Sequence, residues 1–273
     1  MINDQGGVNG RRINLIQYDD GYSPPKTVEQ VRKLVEGGEV LATFQLIGTP
    51  PNAAVQKYLN HKKVPQLLAP SGANRFSDPA NFPWTMRFPP SIKTEGQIYA
   101  HYILADYPNA KIGVFYQNDD LGKEYVQGLK DGLGDRATSM IVGEVSYETA
   151  EPTIDAQIVK LKSSGIDLLY SASTPKFAAQ AIKKLADLGW KPVHIIVNSG
   201  SSISATIVPA GPENSKGVIS ATYFTAVQLD LSLPGVSIDT STTDYRFVKQ
   251  FRMMRFDGER WQGFGPIVDG SRS

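Results

Sequence analysis

The sequence has no cysteine and only three histidines among its 273 residues. Without thiols, there can be no disulfides, zinc ribbons, iron–sulfur clusters or cysteine nucleophiles. An excess of charge of either sign is also missing, because 28 Lys and Arg are balanced by 27 Asp and Glu, leaving a formal net charge of +1. Since nucleic-acid binders normally need a basic excess to neutralise phosphates, we expect no nucleic-acid partner.

Long apolar runs are missing too, since none approaches the roughly eighteen residues that a membrane-spanning helix requires. The N-terminal stretch 1–7 is polar and glycine-rich, without the basic and apolar regions of a signal peptide, so we expect none in the chain as given. With 41% hydrophobic and 20% charged residues, the composition is that of a globular protein. The length suits one large or two medium domains.

The sequence does contain short apolar runs that alternate with amphipathic helical patterns, which is typical of βαβ units and a parallel sheet. In the first part we predict strands at 13–18, 40–46 and 64–68 and helices at 27–36 and 52–60. The alternation restarts after a proline-rich segment at 88–91. There we predict helices at 92–107, 123–133, 153–163, 175–188 and 202–208, and strands at 111–116, 140–145, 167–171, 194–197 and 217–222.

The alternation stops beyond Phe224, where 235–239 and 253–268 are predicted as strands without intervening helices. Asp257-Gly258 is a dipeptide typical of a two-residue β-hairpin turn. The sequence therefore predicts an α/β fold with two doubly wound units and an antiparallel tail.

Sequence motifs for cofactors, metals and catalysis are not found. Neither G-x-G-x-x-G nor a P-loop occurs, and there is no G-x-S-x-G elbow. His61, His101 and His194 are dispersed, each without a second ligand at helical spacing, and the adjacent carboxylates of 19–20 and 119–120 diverge. We predict no cofactor, no metal and no catalytic residue. An enzyme with a spatially assembled triad stays a minority alternative.

Polar loops of small residues follow several predicted parallel strands, at the sheet edge where open α/β folds bind ligands. These loops are 47–52, 70–74, 117–122, 172–175 and 198–202. Each offers free backbone N–H groups and a hydroxyl or amide, which together suit a carboxylate. In any single loop these residues are explained as helix caps, but five such loops at one edge favour a ligand cleft.

Several short motifs occur in a characteristic order along the chain: Ile2-Asn3-Asp4 through Gly6-Gly7-Val8-Asn9-Gly10-Arg11, Tyr18-Asp19-Asp20, Lys63-Val64-Pro65 through Pro70-Ser71-Gly72-Ala73, and Gln117-Asn118-Asp119-Asp120-Leu121-Gly122. Their order resembles that of type I periplasmic binding proteins, and more closely the branched-chain amino acid (Leu/Ile/Val) class of ABC transporter substrate-binding proteins. The C-terminal Arg255-Phe256-Asp257-Gly258-Glu259-Arg260-Trp261 is similar to a hairpin in one subgroup. The resemblance implies two Rossmann-like lobes that close on a small ligand, and it extends over nearly the whole chain.

The same resemblance implies which residues contact the ligand. Ser71, Gly72 and Ala73 match the loop that holds the ligand carboxylate, and Thr49 falls where the family offers a hydroxyl, although Pro50 and Pro51 remove donors there. Leu121 and Thr174 match positions where amino-acid binders place tyrosines, and Ser199 lies near their ammonium-pairing acid. Asn52 and Asn118, from the same loops, complete the predicted site.

The departure at Ser199 bears on the class of ligand. A buried ammonium needs a fixed countercharge, which a serine does not provide. We therefore expect a carboxylate without an α-amino group, such as an aromatic or aliphatic acid. Alternatively, Asp119 or Glu148 supplies the countercharge and the ligand is an amino acid.

Other departures concern missing segments. Relative to the family pattern, the chain is expected to be truncated at its N-terminus and internally deleted near 223–232, which leaves the first lobe incomplete. We expect lobe 1 at 1–90 and 225–252, lobe 2 at 91–224 and a C-terminal hairpin or crossover at 253–273. By resemblance the protein is periplasmic and delivers its ligand to an ABC permease. A ligand-sensing regulatory module and a decayed, non-binding remnant are alternatives.

Overall fold

The computed structural model describes residues 1–38, 40–223 and 250–269. Two separate sheets organise these residues, and we refer to the units built on them as the first and second lobes. The first lobe contains helices α1 (Pro24–Glu36) and α2 (Thr49–Lys62) and strands β1 (Thr43–Phe44), β2 (Gln66–Ala69) and β3 (Thr85–Arg87). The strands are parallel in the order β1-β2-β3. Val31 of α1 packs against Val55 and Leu59 of α2, which forms a small separate core.

The second lobe is larger and begins with α3 (Ile92–Asp106). Its remaining elements are β4 (Ile112–Gln117), α4 (Asp120–Leu133), α5 (Ala137–Met140), β5 (Ile141–Tyr147), α6 (Asp155–Ser163), β6 (Leu168–Ala172), α7 (Pro175–Asp187), β7 (Val193–Ile196), α8 (Val208–Ala210), α9 (Pro212–Ser215), β8 (Ile219–Thr222), β9 (Gln250–Phe256) and β10 (Trp261–Asp269). Its sheet has the order β10-β9-β8-β7-β6-β4-β5, parallel from β8 to β5 and antiparallel at β8-β9-β10.

The middle of this sheet is buried on both faces, as the doubly wound prediction requires. All five residues of β6 are buried. One face packs in a core that contains Tyr99 and Leu129, and the other in a core that contains Phe115 and Phe177. Because these strands are short apolar runs bounded by turn residues, their predicted bounds agree with the structure to within a few residues. At the predicted helix 202–208, the chain forms a π-helical turn (Ile203–Ile207) that leads into α8.

The prediction of a first strand at 13–18 is wrong. This segment has no regular structure, and the backbone of Ile13 bonds to the Asn3 side chain through two 2.8 Å hydrogen bonds instead of to a strand. Ile13 and Leu15 are 49% and 63% exposed. An apolar run becomes a strand only where a neighbouring strand satisfies its backbone, and no described strand flanks this one.

Two further boundaries of the first lobe differ from prediction. The strand predicted at 40–46 is reduced to the two residues of β1, with Leu41 almost fully exposed before it. Strand β3 was not predicted, since Thr85–Arg87 lies between prolines in a segment too short to show any periodicity. Helix α2 starts at Thr49, three residues before the predicted start, because Pro50 and Pro51 are well suited to a first helical turn.

The antiparallel tail is confirmed, but its turn is not the predicted one. Phe256 pairs with Trp261, so the connection is the four-residue loop 257–260 and not a two-residue turn. The Asp257 carboxylate accepts hydrogen bonds from the backbone N–H groups of Glu259 and Arg260, which stabilises the wider loop. Strand β9 begins at Gln250 and pairs with β8, so residues 250–252 lie in the second sheet. The predicted strand 235–239 and most of the predicted deletion near 223–232 lie outside the described residues.

None of the described helices is both long and apolar enough to cross a membrane.

Candidate functional site

The candidate site is an open cleft where the N-termini of α2 and α4 face each other across the two lobes. Its volume is about 380 Å³, and its lining consists of Thr49, Pro50, Ala53, Ala54, Asp119 and Asp120. Four of these residues come from the first lobe and two from the second. The cleft therefore lies between the lobes, at the edge where sequence analysis placed the polar loops.

A pair of buried hydroxyls lies at the first-lobe side of the cleft, and of the two only Thr49 belongs to the residues that line it. Thr49 Oγ1 lies 2.7 Å from Ser71 Oγ, and the Ser71 hydroxyl also accepts the Ala73 backbone N–H at 3.3 Å. In a pair of hydroxyls only one proton is used between the partners, so when Ser71 donates, the proton of Thr49, which lines the cleft, is left for another acceptor. The backbone of Gly72, between Ser71 and Ala73, lies so close to that of Pro90 that a Cβ on Gly72 would be 2.3 Å from the Pro90 carbonyl oxygen. The predicted residues Thr49, Ser71, Gly72 and Ala73 are thus brought together.

Tyr22 connects this wall to the second lobe. Its ring occupies the space beside Gly48, where a Cβ would lie 2.3 Å from Tyr22 Cε2, so only glycine fits there at φ 98°. Its hydroxyl is 3.5 Å from Gln117 Nε2, the donor of this contact. Burial raises the pKa of Tyr22 to about 12, and the hydrogen bonds from Gln117 and the Thr49 backbone only partly oppose that rise. Tyr22 is therefore a neutral phenol between the lobes.

The second-lobe side is a connected set of polar groups at the ends of β4, β5 and β6. Gln117 Oε1 accepts hydrogen bonds from Tyr147 Oη at 3.0 Å and from Thr174 Oγ1 at 3.1 Å. The Thr174 backbone N–H donates to Tyr147 Oη at 3.1 Å. The Tyr147 ring lies between Phe115 and Phe177, with centroids at 4.9 and 4.1 Å. The two phenyl rings thus hold Tyr147 in place, and through its hydrogen bond Tyr147 fixes the position of Thr174, a predicted site residue.

The two aspartates at the start of α4 are both engaged. Asp119 caps the helix, since its Oδ1 accepts the backbone N–H groups of Leu121 at 2.9 Å and Gly122 at 3.3 Å, while its Oδ2 accepts the Gln117 amide. Burial raises the pKa of Asp119, although these hydrogen bonds oppose the rise. Asp120 pairs with Arg75 of the first lobe at 2.7 Å.

A second contact between the lobes lies one helical turn further along α4. Both oxygens of Glu124 accept the Asn74 backbone N–H, at 3.1 and 3.0 Å. Burial raises the pKa of Glu124, and the hydrogen bond from Asn74 is the largest opposing effect. Asp120 and Glu124 therefore present one acidic face of α4 to the 3₁₀ turn Asn74–Ser77 of the first lobe.

Four predicted site residues lie elsewhere. The Asn52 amide is buried and donates to the carbonyls of Leu46 and Gly48, so it holds the loop before α2. Asn118 donates to Glu148 at the exposed rim. Leu121 packs in the core of the second lobe, and Ser199 is exposed in the 3₁₀ turn Asn198–Gly200.

Sequence reasoning did not single out Tyr22, Gln117, Tyr147 and Arg75 as site residues. Tyr22 stands in the turn after Asp19-Asp20, and Gln117 opens one of the five polar loops, so their positions were visible but their orientation was not. Within the described ranges, no group of three His, Asp or Glu side chains is arranged to hold a metal ion. What the cleft offers instead is hydroxyl donors, a neutral phenol and carboxylates that already have partners.

Comparison with known proteins identifies a family and several relatives of the chain. The model of a family described as "Periplasmic binding protein" matches residues 1–252. The Leu/Ile/Val-binding protein homolog 1 of Brucella suis is 26% identical over 265 residues, which is 95% of this chain and 66% of that protein. The chain therefore spans slightly less than two thirds of the length of that relative.

Solved structures show the same fold. A branched chain amino acid ABC transporter protein from Thermus thermophilus with bound valine superimposes with a TM-score of 0.80 at 14% identity, covering 98% of this chain and 88% of that one. A fatty acid ABC transporter substrate-binding protein from Thermomonospora curvata gives 0.70 at 22% identity, covering 82% and 56%. The predicted two-lobed α/β fold is confirmed.

Proposed function

The chain belongs to the periplasmic binding protein family, and from that premise we propose that it is the solute-binding component of an ABC transporter and captures a small organic carboxylate between its two lobes. The observation that carries the proposal is the cleft between α2 and α4, with Thr49, the hydroxyl partner of Ser71, on its wall. As a binding protein, and not an enzyme, it needs donors that fix a ligand and two lobes between which the ligand is held, and the position of the cleft supports this role.

We further propose that the ligand carries no α-amino group. An ammonium buried in the cleft would need a free carboxylate. Asp119 caps α4, Asp120 pairs with Arg75, and Glu148 accepts from Asn118. Since each of these acids already has a partner, and Ser199 is uncharged, the site favours an acid such as benzoate or a fatty acid over leucine.

The names of the structural neighbours are compatible with this class of ligand. One neighbour binds valine and another belongs to a fatty acid transporter, so both names point to ligands with a carboxylate. The α-amino group distinguishes valine from a fatty acid. We propose that this chain shares the carboxylate recognition and not the recognition of the amino group.

Binding would act through lobe closure. A ligand that touches Thr49 on one side and the Gln117–Thr174 set on the other is held best when the lobes are together, so it shifts the population toward the closed form. We propose that the closed form is presented to a membrane permease from the periplasm, in keeping with the family.

Isothermal titration calorimetry with benzoate, octanoate and leucine tests the proposal. We expect heat of binding from at least one of the two simple acids and none from leucine. The double variant Thr49→Val, Ser71→Ala removes both hydroxyls without a change of charge. It should weaken acid binding at least tenfold. Binding of leucine with no response to either acid would contradict the proposed ligand class, and no binding of any of the three would contradict this role for the cleft.

A further inference from the structure

The carboxylate of Glu95 is buried inside the second lobe and does not line the cleft. Glu95 of α3 is only 5% exposed, and its partners among the described residues are uncharged. Its Oε1 accepts hydrogen bonds from Tyr99 Oη at 2.8 Å and from the Asn198 backbone N–H at 2.7 Å. Its Oε2 accepts one from Tyr125 Oη at 2.7 Å. Three donors converge on one acid, which joins α3, α4 and the end of β7.

The Asn198 contact connects this acid to the carboxyl edge of the second sheet. Asn198 opens the polar loop 198–202, which leaves β7 at the carboxyl edge of the second sheet. The rest of the loop is tied down from the other side, since Asn198 Nδ2 donates to Ala221 O at 2.8 Å and Trp261 Nε1 to Ser201 O at 3.0 Å. Glu95 thus joins this loop to α3, and residues of β8 and β10 hold its other side.

The titratable groups around Glu95 are tyrosines from four elements. Tyr99 on α3, Tyr125 on α4, Tyr170 on β6 and Tyr223 after β8 all face it, and burial raises the pKa of each, so all stay neutral. In β7, burial lowers the pKa of His194 to about 3, and this ring bonds to Ser171 instead.

Glu95 is therefore the group in this cluster that changes charge near neutral pH. Burial raises its pKa to about 7, against the opposing effect of its three hydrogen bonds.

We propose that Glu95 is a positioning residue that holds the loop 198–202 in place through the Asn198 backbone, and that gain or loss of one buried proton loosens or tightens this loop. When the carboxyl is ionised, all three donors bond to an anion, and such charge-assisted bonds are roughly twice as strong as neutral ones. When it is protonated, the acid must itself donate, and the bond to the Asn198 N–H becomes an ordinary one. Since the bond from the Asn198 N–H is among those that lower the pKa of Glu95, linkage makes this bond stronger above the transition than below it.

A spare polar group lies beside the cluster. Tyr170 is fully buried, its ring packs edge-on against Tyr99 at 5.7 Å, and its hydroxyl has no hydrogen-bond partner among the described residues. Buried hydroxyls are normally paired, so an unpaired one next to an acid provides room for the hydrogen bonds to rearrange on protonation. The geometry therefore accommodates both protonation states.

The inference rests on the proposed function only in that the loop leaves the same edge of the second sheet as the Gln117–Thr174 set, so its test is made without ligand. Trp261 reports on the loop through its bond to Ser201. In a Trp84→Phe, Trp190→Phe background, Trp261 is the remaining tryptophan of the three in the chain. We expect its fluorescence to change between pH 5 and pH 9 with a midpoint near 7. Amide hydrogen exchange at 198–202 should slow severalfold across the same range once the intrinsic pH dependence of exchange is subtracted.

Glu95→Gln, which keeps the shape and removes the titration, should abolish the transition. His101→Gln, at an exposed position on the same helix, should leave it unchanged. Tyr125→Phe removes one donor to the anion and should move the midpoint upward, which tests the inference even if Glu95→Gln does not fold. A transition that persists in Glu95→Gln, or that is unmoved in Tyr125→Phe, would overturn the proposal. Failure of carboxylates to bind would leave this result untouched.

Discussion

The hydroxyls of Thr49 and Ser71 are only 1% and 4% exposed by residue, and each is the other's partner at 2.7 Å. Such a pair contributes little net stability while both members are present, because water would satisfy each hydroxyl in the unfolded chain. Loss of one member leaves the other buried with an unmet bond, and that penalty is larger than the net value of the pair.

The substitution Thr49→Val, which keeps the shape and removes the hydroxyl, should therefore lower the free energy of unfolding by about 1–2 kcal/mol. Ser71→Ala should cost a similar amount, because Thr49 then loses its partner and the Ala73 N–H loses its acceptor. The double variant should cost less than the sum of the two, and urea denaturation of all four proteins measures the difference. Strict additivity would mean that the hydroxyls do not interact.

Individual side chains were the least predictable part of the site. The sequence showed which loops carry hydroxyls and amides at strand ends, and two of them, 47–52 and 117–122, contribute to the lining of the cleft. It could not show that Asn52 turns back to the Leu46 and Gly48 carbonyls, or that Leu121 enters the core. The direction of a side chain depends on the angle at which its helix leaves the sheet, and nearby sequence does not fix that angle.

Glycines allow α3 and α4 to pack closely against each other in the second lobe. A Cβ on Gly128 would lie 2.2 Å from the Lys93 carbonyl oxygen, and one on Gly96 would lie 2.7 Å from that of Tyr125. Both obstacles are backbone atoms, which cannot rotate away. The same crossing brings Tyr125 to Glu95, so the glycines are needed for the buried acid to reach its donors.

Gly128→Ala should lower the free energy of unfolding by about 1–3 kcal/mol, despite the better helix propensity of alanine, because the helices must move apart. Lys123→Ala, on the exposed face of the same helix, is the control and should stay within about 0.5 kcal/mol of the parent. Thermal or urea unfolding distinguishes the two. A Gly128→Ala protein as stable as the parent would show that the interface can yield.

Elements of the second lobe were predictable because most of its strands are short apolar runs, and among the described strands all but the edge strands β5 and β10 have partners on both sides. The first lobe was less predictable for the opposite reason. The run at 13–18 has the composition of a strand, but among the described residues no strand lies beside it, and Ile13 and Leu15 remain exposed. Local pattern indicates what a segment is able to form, while a sheet requires a partner that the pattern does not specify.

At the scale of the whole molecule, α4 links the two lobes. The Arg75–Asp120 ion pair crosses between them, and its side chains are 35% and 49% exposed, so solvent screens it considerably. A pair of this kind is worth about 0.2–1 kcal/mol. That is enough to bias an equilibrium between open and closed lobes without fixing it.

Arg75→Gln should therefore lower the ratio of closed to open molecules by a factor of about 1.4 to 5, with a corresponding rise in radius of gyration by small-angle scattering. The shift should shrink at high salt. Lys130→Gln is the matched control, since it breaks a pair of similar exposure with Glu144 inside the second lobe and should leave the lobe separation unchanged. An equal response from both variants would mean that the effect is one of net charge and not of the contact between lobes.

The register of β9 against β8 also has a consequence for how the protein is made. Ile219 pairs with Arg255 and Thr222 with Arg252, so the edge of β8 is covered by residues synthesised some thirty positions later. At 5–20 residues per second the ribosome needs roughly two to seven seconds to supply them. Throughout that interval the β8 edge of the nascent sheet lacks its β9 partner, and an unpaired strand edge is prone to association with other chains.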